Sequence, residues 1–556
     1  MKKLVLLILS SYTIFNLCGQ TSLPVPRNIQ AAYDKGTRDL SGAPGKNYWQ
    51  NSGKYDIRIS FNPLNRAVTG SENIVYTNNS PDTLKWIVFK LFPNIYSKGA
   101  PRLNVIDSSD ISPAVKITNL KIEGEDYKPS ARGTTMFLRL KGILPKSSVN
   151  ISLDFYFRLN KGSYLRTGES DEGSWFLAYF FPRIAVYDDI DGWDVSQYLG
   201  LVEFYNDFPD FKLAVTVPKD YVVWATGTLI NPAEVLTPVY LTRLSAAEKS
   251  DHVSTIIDST DIAAGGITVD KPYNTFRFEA ENVTDVAAAI SNHYMWRSSS
   301  VLVDSSSGRR TRVDAVFSQK KKDFFEVAEF ARKTVKSMSY YFPKWPYPYQ
   351  HETVFNSRKT RGGMEYPMMV SDGNFPDRTF TIDVTLHEVF HTMFPFYTGL
   401  NETKYGWMDE GLAEMSNWIL MPQIDSSLQS VLVPGDIKDY SRFAGSESDM
   451  PIITLSGQLD DAAYQFNSYT KPAIALIYLR DMLGNELFLK GIHQFIRNWH
   501  GKHPTPFDFF YSMNQGTGMN LNWYWKKWYL EKGVPDLAVT GLTSNKDTRI
   551  IRIEMK

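Results

Sequence analysis

The sequence predicts a multidomain α+β protein, a mostly β N-terminal domain followed by a mainly helical one. Three observations predict it. The 556 residues are too many for one hydrophobic core. Short alternating apolar runs, parted by turn residues, recur to about residue 290. Beyond that point apolar residues recur at helical spacing, with Pro and Gly between the segments.

Taken in order, Met1-Lys2-Lys3 gives a positive start, and Leu4 to Leu17 is largely apolar. This is the layout of an export signal, with cleavage expected after Gly19, so residues 1–19 are read as a signal peptide. Cys18 raises a lipid anchor as the alternative, but Asn16-Leu17 are not the small residues that usually precede a lipidated cysteine. The mature chain is therefore expected to be exported, to the periplasm or beyond. Residues 21–50 carry Pro, Gly, Asn and Ser without periodicity and read as an extended lead-in.

Tyr55, Ile57, Ile59 and Phe61 then alternate on one face of a strand, stopped by Asn62-Pro63. Further strands are expected at Ile74–Tyr76, Ile87–Phe89, Val149–Phe157, Phe211–Val217 and Tyr221–Ala225. These place a β domain at 20–290. Phe324, Val327, Ala328, Ala331, Val335 and Met338 open a second domain, at 291–535, with a helix ended by Pro343. More helices are expected at Ile382–Phe394, Asp409–Met421, Pro472–Met482, Leu487–Asn498 and Trp523–Glu531. Residues 536–556 alternate again, as the start of a truncated β domain or a tail.

Sixty basic residues balance sixty acidic ones with no basic block, which removes the electrostatic footprint of a nucleic-acid binder. After the N-terminus no apolar run is long enough to span a membrane. Cys18 is the only cysteine, so any catalytic metal must be held by His, Asp or Glu.

The chemistry concentrates in the segment that runs on from Thr385. His387 and His391 are four apart, which on a helix puts them on one face with Cβ atoms about 5–6 Å apart. Two imidazoles so placed can converge on one Zn²⁺. Glu388 follows the first His and projects beside the metal, where a general base for water belongs. Glu410, after eighteen intervening residues, can return as third ligand and leave one position open. Chance placement of this whole pattern is roughly one in 5,000, far rarer than the two histidines alone. Asp383 and Asp409 could support the histidines, but solvated carboxylates are the ordinary expectation for both, and Glu414 is undecided.

The segment resembles the aminopeptidase N-like metallopeptidases, a branch of the gluzincins, through His387-Glu388, His391 and Trp407-Met408-Asp409-Glu410-Gly411. Gly362-Gly363-Met364-Glu365-Tyr366-Pro367, with its Glu twenty-two positions before His387, is similar to that family's exopeptidase motif. Ser468-Tyr469-Thr470-Lys471-Pro472 is similar to its Tyr-x-Lys-Gly element, with Pro472 in place of Gly. The resemblance implies a thermolysin-like catalytic domain with one zinc per chain. It implies peptide substrates with a free N-terminus, passing along the Gly362-Gly363-Met364 strand and held at the amine by Glu365. It implies Glu388 as base and Tyr469 as oxyanion donor, with Tyr464 a weaker candidate. Two departures bear on the amine site: Tyr366 stands for an Asn, and Tyr179 for a Gln. The alternatives are a non-catalytic binding scaffold of the same fold, or a zinc hydrolase of a non-peptide substrate such as a lipid epoxide.

Overall fold

The computed structural model of the protein describes residues 22–162, 166–358, 362–428, 433–533, 539–545 and 550–555. The expected signal segment, with Cys18, lies outside them. No helix among the described residues is long and apolar enough to cross a membrane.

Four sheets build the N-terminal domain among the described residues, the smallest a pairing of Tyr187–Asp188 with Gly192–Trp193. The largest has eight strands, with Ser52–Asn62 in its interior between Ala67–Asn78 and Asp210–Pro218. Tyr55, Ile57, Ile59 and Phe61 are all buried on one face, as their alternation predicts. Their rings tie the sheets together. Tyr55 packs on Phe181 and Phe211, and Phe61 meets Trp175 of the strand Ser174–Leu177 edge-on.

A six-stranded sheet anchors the second domain, in the order Ser254–Ile257, Met295–Asp304, Arg309–Phe317, His351–Asn356, Met369–Asp372, Glu365–Tyr366. Its first strand comes from within the span read as the β domain. Its last is a two-residue edge strand, antiparallel to Met369–Asp372, that carries Glu365. The helix Val327–Tyr340 lies against this sheet and buries Val327, Ala328, Ala331, Val335 and Met338. The helices Arg378–Phe390, Glu402–Ile424, Lys471–Leu483 and Asn485–Trp499 follow, close to their expected places. Pro506–Thr517 is a helix that periodicity does not reveal, because every residue from Pro506 to Met513 is buried, polar Asp508 and Ser512 included. Its Thr505–Asp508 capping box is the readable signal. Val539–Asn545 and Ile550–Met555 pair as an antiparallel hairpin; Leu537 lies outside the described residues.

The lead-in is not simply extended. Arg27–Lys35 is a helix, closed by Gly36 in the left-handed conformation. The chain after it forms a strap across both domains. Arg38 pairs at 2.6 Å with Asp189 of the β domain and at 2.6 Å with Asp508 of the helical domain. All three side chains are at most 2% exposed. The Gly42 carbonyl accepts from Trp499 Nε1 at 2.6 Å and Ser512 Oγ at 3.0 Å. A Cβ on Gly42 would sit 2.2 Å from the Ser512 backbone nitrogen, and its φ of +82° also demands glycine.

Candidate functional site

His387 lies in the last turn of the helix Arg378–Phe390, whose start is capped by Asp377 onto the Thr379 N–H. His391 is the residue that closes that helix. The two rings are 4.7 Å apart and nearly perpendicular. Glu410, on the helix Glu402–Ile424, brings its Oε2 to 3.0 Å from His387 Nε2 and 3.4 Å from His391 Nε2. One ligand atom from each of the three lies within 4.8 Å of the others. Burial disfavours a charged Glu410, but its contacts with His387 and His391 outweigh that and hold its carboxyl well below the usual range.

The other imidazole nitrogens face oxygen acceptors, closely at His391 and at longer range at His387. His391 Nδ1 donates to the Phe394 carbonyl at 3.0 Å and lies 2.5 Å from Asp409 Oδ1. His387 Nδ1 faces Glu414 Oε2 at 3.8 Å. A proton on each Nδ1 leaves each Nε2 lone pair turned toward Glu410, as metal ligation requires. Asp409 is therefore no solvated carboxylate: it is 0% exposed. Asp383 does not reach a histidine ring and instead accepts from Asn417 Nδ2 at 2.7 Å.

Glu388 points off the same helix turn toward the edge strand. Its ligand atoms cluster with those of Glu365 and His391, within 4.8 Å. Burial pushes its carboxyl well above the ordinary value, with His387 opposing and the Glu365 charge adding to the rise. Gly363 makes room for it: a Cβ there would lie 2.4 Å from Glu388 Cγ. Gly362, beside it, has a φ of +63°. Met364 leads from this turn into the strand.

Tyr469 sits in the irregular turn Phe466–Thr470, just before the helix Lys471–Leu483. Its hydroxyl donates to Glu410 Oε1 at 2.5 Å, and its ring lies nearly parallel to His387, 6.1 Å away. Gly411 permits this approach, since a Cβ there would meet Pro472 at 2.7 Å. The proline that departs from the resembled motif thus packs directly behind the third ligand. Tyr464 is one ring further out, 6.3 Å from Tyr469.

The far end of the cleft was not legible from sequence. Oxygens of Glu203, Glu365 and Glu402 lie within 4.8 Å of one another, and all three residues are buried. Arg166 of the β domain grips Glu203 through both terminal nitrogens and also donates to Met364 Sδ at 3.0 Å. The Tyr366 hydroxyl donates to the Arg166 carbonyl at 2.6 Å, a second link between the domains. Tyr179, at a φ of +53°, is packed among Phe92, Phe204 and Tyr366.

The donor set fits zinc. Two neutral imidazoles and one carboxylate form a three-ligand catalytic set, and tetrahedral bonds of about 2.0–2.1 Å put ligand atoms roughly 3.3 Å apart, close to the observed 3.0 and 3.4 Å. Fold and site together define a zinc metallopeptidase domain of the gluzincin type. Residues 328–528 match the Peptidase family M1 domain, in keeping with the resemblance to the aminopeptidase N-like gluzincins. It is similar to Aminopeptidase M1 of Arabidopsis thaliana, 25% identical over 159 residues. That stretch is 27% of this chain and spans only 18% of the relative. The crystal structure of an M1 zinc metallopeptidase from Deinococcus radiodurans superposes with a TM-score of 0.59 at 14% identity, covering 89% of this chain and 98% of that one. Legionella pneumophila aminopeptidase A superposes with a TM-score of 0.60 at 13% identity, covering 90% of this chain and 52% of the other. Both structures share the two-domain arrangement of β domain and helical domain.

Proposed function

We propose that this chain is an exported zinc aminopeptidase that hydrolyses the N-terminal peptide bond of its substrates. The observation that carries the reading is the joint placement of the His387–His391–Glu410 triad, Glu388 beside it, and buried Glu365 on the facing edge strand. A fold relative, a Deinococcus radiodurans M1 zinc metallopeptidase mutant, binds the peptide Tyr-Ser-Ala as substrate.

When bound by His387, His391 and Glu410, zinc supplies a Lewis acid that polarises the scissile carbonyl and makes water acidic. Glu388 takes the proton of the attacking water and then passes it to the leaving amine. The Tyr469 hydroxyl turns from Glu410 to the carbonyl oxygen as that oxygen gains charge. The edge strand Glu365–Tyr366 presents backbone groups to an extended peptide, and Glu365 pairs with its free ammonium. Cleavage one residue from the amine follows from the fixed placement of Glu365 beside Glu388 and His391.

The test is a matched pair of peptides, one free and one acetylated at the N-terminus, followed by mass spectrometry. The free peptide should lose its first residue and the blocked one should stay whole. Efficient internal cleavage of the acetylated peptide would leave only a zinc peptidase. For export, the intact mass of the mature protein should start at Gln20; a start at Cys18 with added acyl mass would establish the lipid anchor instead.

A further inference from the structure

Two buried carboxylates that the reaction above does not use hold the histidine-bearing helix Arg378–Phe390 from behind. Glu352 stands near the start of the strand His351–Asn356, and Asp372 ends the strand Met369–Asp372. The two strands are parallel, with Asn356 opposite Asp372. Glu352 is four residues before Asn356, so both carboxylates lie on one face of the sheet, about 13 Å apart along the strands. Thr385 and Thr392 are seven residues apart, two helical turns, which puts them on one side of the helix and about 10 Å apart along it. The two spacings match, and contact is made at both ends. Thr385 Oγ1 donates to Asp372 Oδ2 at 3.1 Å. At the other end the Tyr347 hydroxyl donates to Glu352 and lies 3.0 Å from Thr392 Oγ1, which is 3.4 Å from Glu352 Oε2. All five residues are at most 1% exposed. Burial pushes Glu352 up to about 8, and the Asp372 charge adds to the rise, so at neutral pH it serves mainly as an uncharged acid.

We infer that Asp372 and Glu352 are positioning residues for the metal centre: acting through Thr385, and through Tyr347 and Thr392, they fix the rotation of the helix that presents His387, Glu388 and His391. The inference rests on the reading of His387 and His391 as zinc ligands. At about 100° per residue, both histidines point roughly away from the threonine side of the helix. A helix held at one point can roll about its axis, whereas one held at two points two turns apart cannot. The sheet thus grips the back of the helix and thereby aims its front, so the imidazoles meet Glu410 without reorganising when the metal enters.

The experiment uses the full chain. It measures zinc affinity by competition with a chelator, then kcat and KM at saturating zinc on an aminoacyl reporter. Thr385→Val with Thr392→Val keeps the shape of both side chains and removes both hydroxyls. Zinc affinity should fall about tenfold, the lower end for loss of a group that supports the ligands. With zinc restored, kcat should fall about three- to tenfold at nearly constant KM, because the substrate contacts are untouched. Thr385→Ser with Thr392→Ser keeps both donors and should stay within about threefold of the parent on every measure. Glu352→Gln keeps an acceptor for Tyr347 and should do the same, whereas Glu352→Met should weaken zinc binding. Tyr347→Phe carries the same expectation as Glu352→Met and decides the matter if the double Val variant does not fold. If the Val and Phe variants melt earlier yet keep parental zinc affinity and kcat, the contacts are ordinary packing and the inference falls. His387→Ala should abolish zinc binding. Parental affinity in that variant would overturn the ligand reading itself, and the inference with it.

Discussion

The His387–His391–Glu410 cluster and the neighbouring Glu203–Glu365–Glu402 cluster are built by opposite strategies. The first draws its ligands from residues 387–410 of a single domain, on two neighbouring helices. The second collects Glu203, with its partner Arg166, from the β domain, Glu365 from an edge strand and Glu402 from a helix start. A site made by helical spacing is written in sequence, because the i,i+4 geometry is local. A site made by docking two domains carries no spacing at all. The same contrast predicts how each cluster fails: the first loses chemistry, the second loses discrimination.

The largest effects should come from the first cluster. Glu388→Gln should keep one zinc per chain and lose about 10²–10⁴ in kcat, the range for a lost general base. Metal analysis beside a peptidase assay checks it, and substantial remaining turnover would remove Glu388 from the role. Tyr469→Phe comes next, with a loss of about 10²–10³ in kcat at unchanged zinc content. A loss of only a few-fold would pass the oxyanion role to another donor, with Tyr464 next in line. Asp409→Asn should weaken zinc binding by about 10–100-fold, since a neutral amide supports the His391 imidazole less well. Competition with a chelator measures this, and an unchanged affinity would reduce Asp409 to packing. Smallest of all is Tyr179→Phe, beside the second cluster. It keeps the aromatic cluster, and KM should move by less than about threefold, below the cost of a lost substrate hydrogen bond. A larger rise in KM would show that the Tyr179 hydroxyl binds the amine and would blur the contrast.

What could be read in advance follows the same line. The alternation Tyr55-Ile57-Ile59-Phe61 and the helical spacing through Met338 appear as buried faces, because one side of each element meets a core. The helix Pro506–Thr517 was silent because its first two turns are buried all round, polar Asp508 and Ser512 included, and the Arg27–Lys35 helix was hidden among turn-forming residues. Asp409 could be named only as one of two candidates, and Glu203 not at all, for another reason. Nothing marks a carboxylate as buried until its partner, His391 or Arg166, is seen beside it.

The strap near Arg38 has a consequence for how the molecule is made. Its contact with Asp508 joins residues 470 positions apart. During synthesis Arg38 emerges early, and its second carboxylate emerges only when the helical domain is almost complete. Closing so long a loop comes after the local helices and hairpins have formed, because its entropy must be spent before any contact repays it. Arg38 therefore works as a late latch, added to the contacts that Arg166 makes with Met364 and Tyr366 across the same two domains. The Glu203–Glu365–Glu402 cluster likewise waits for the two domains to dock, whereas the helices that carry His387, His391 and Glu410 belong to one of them.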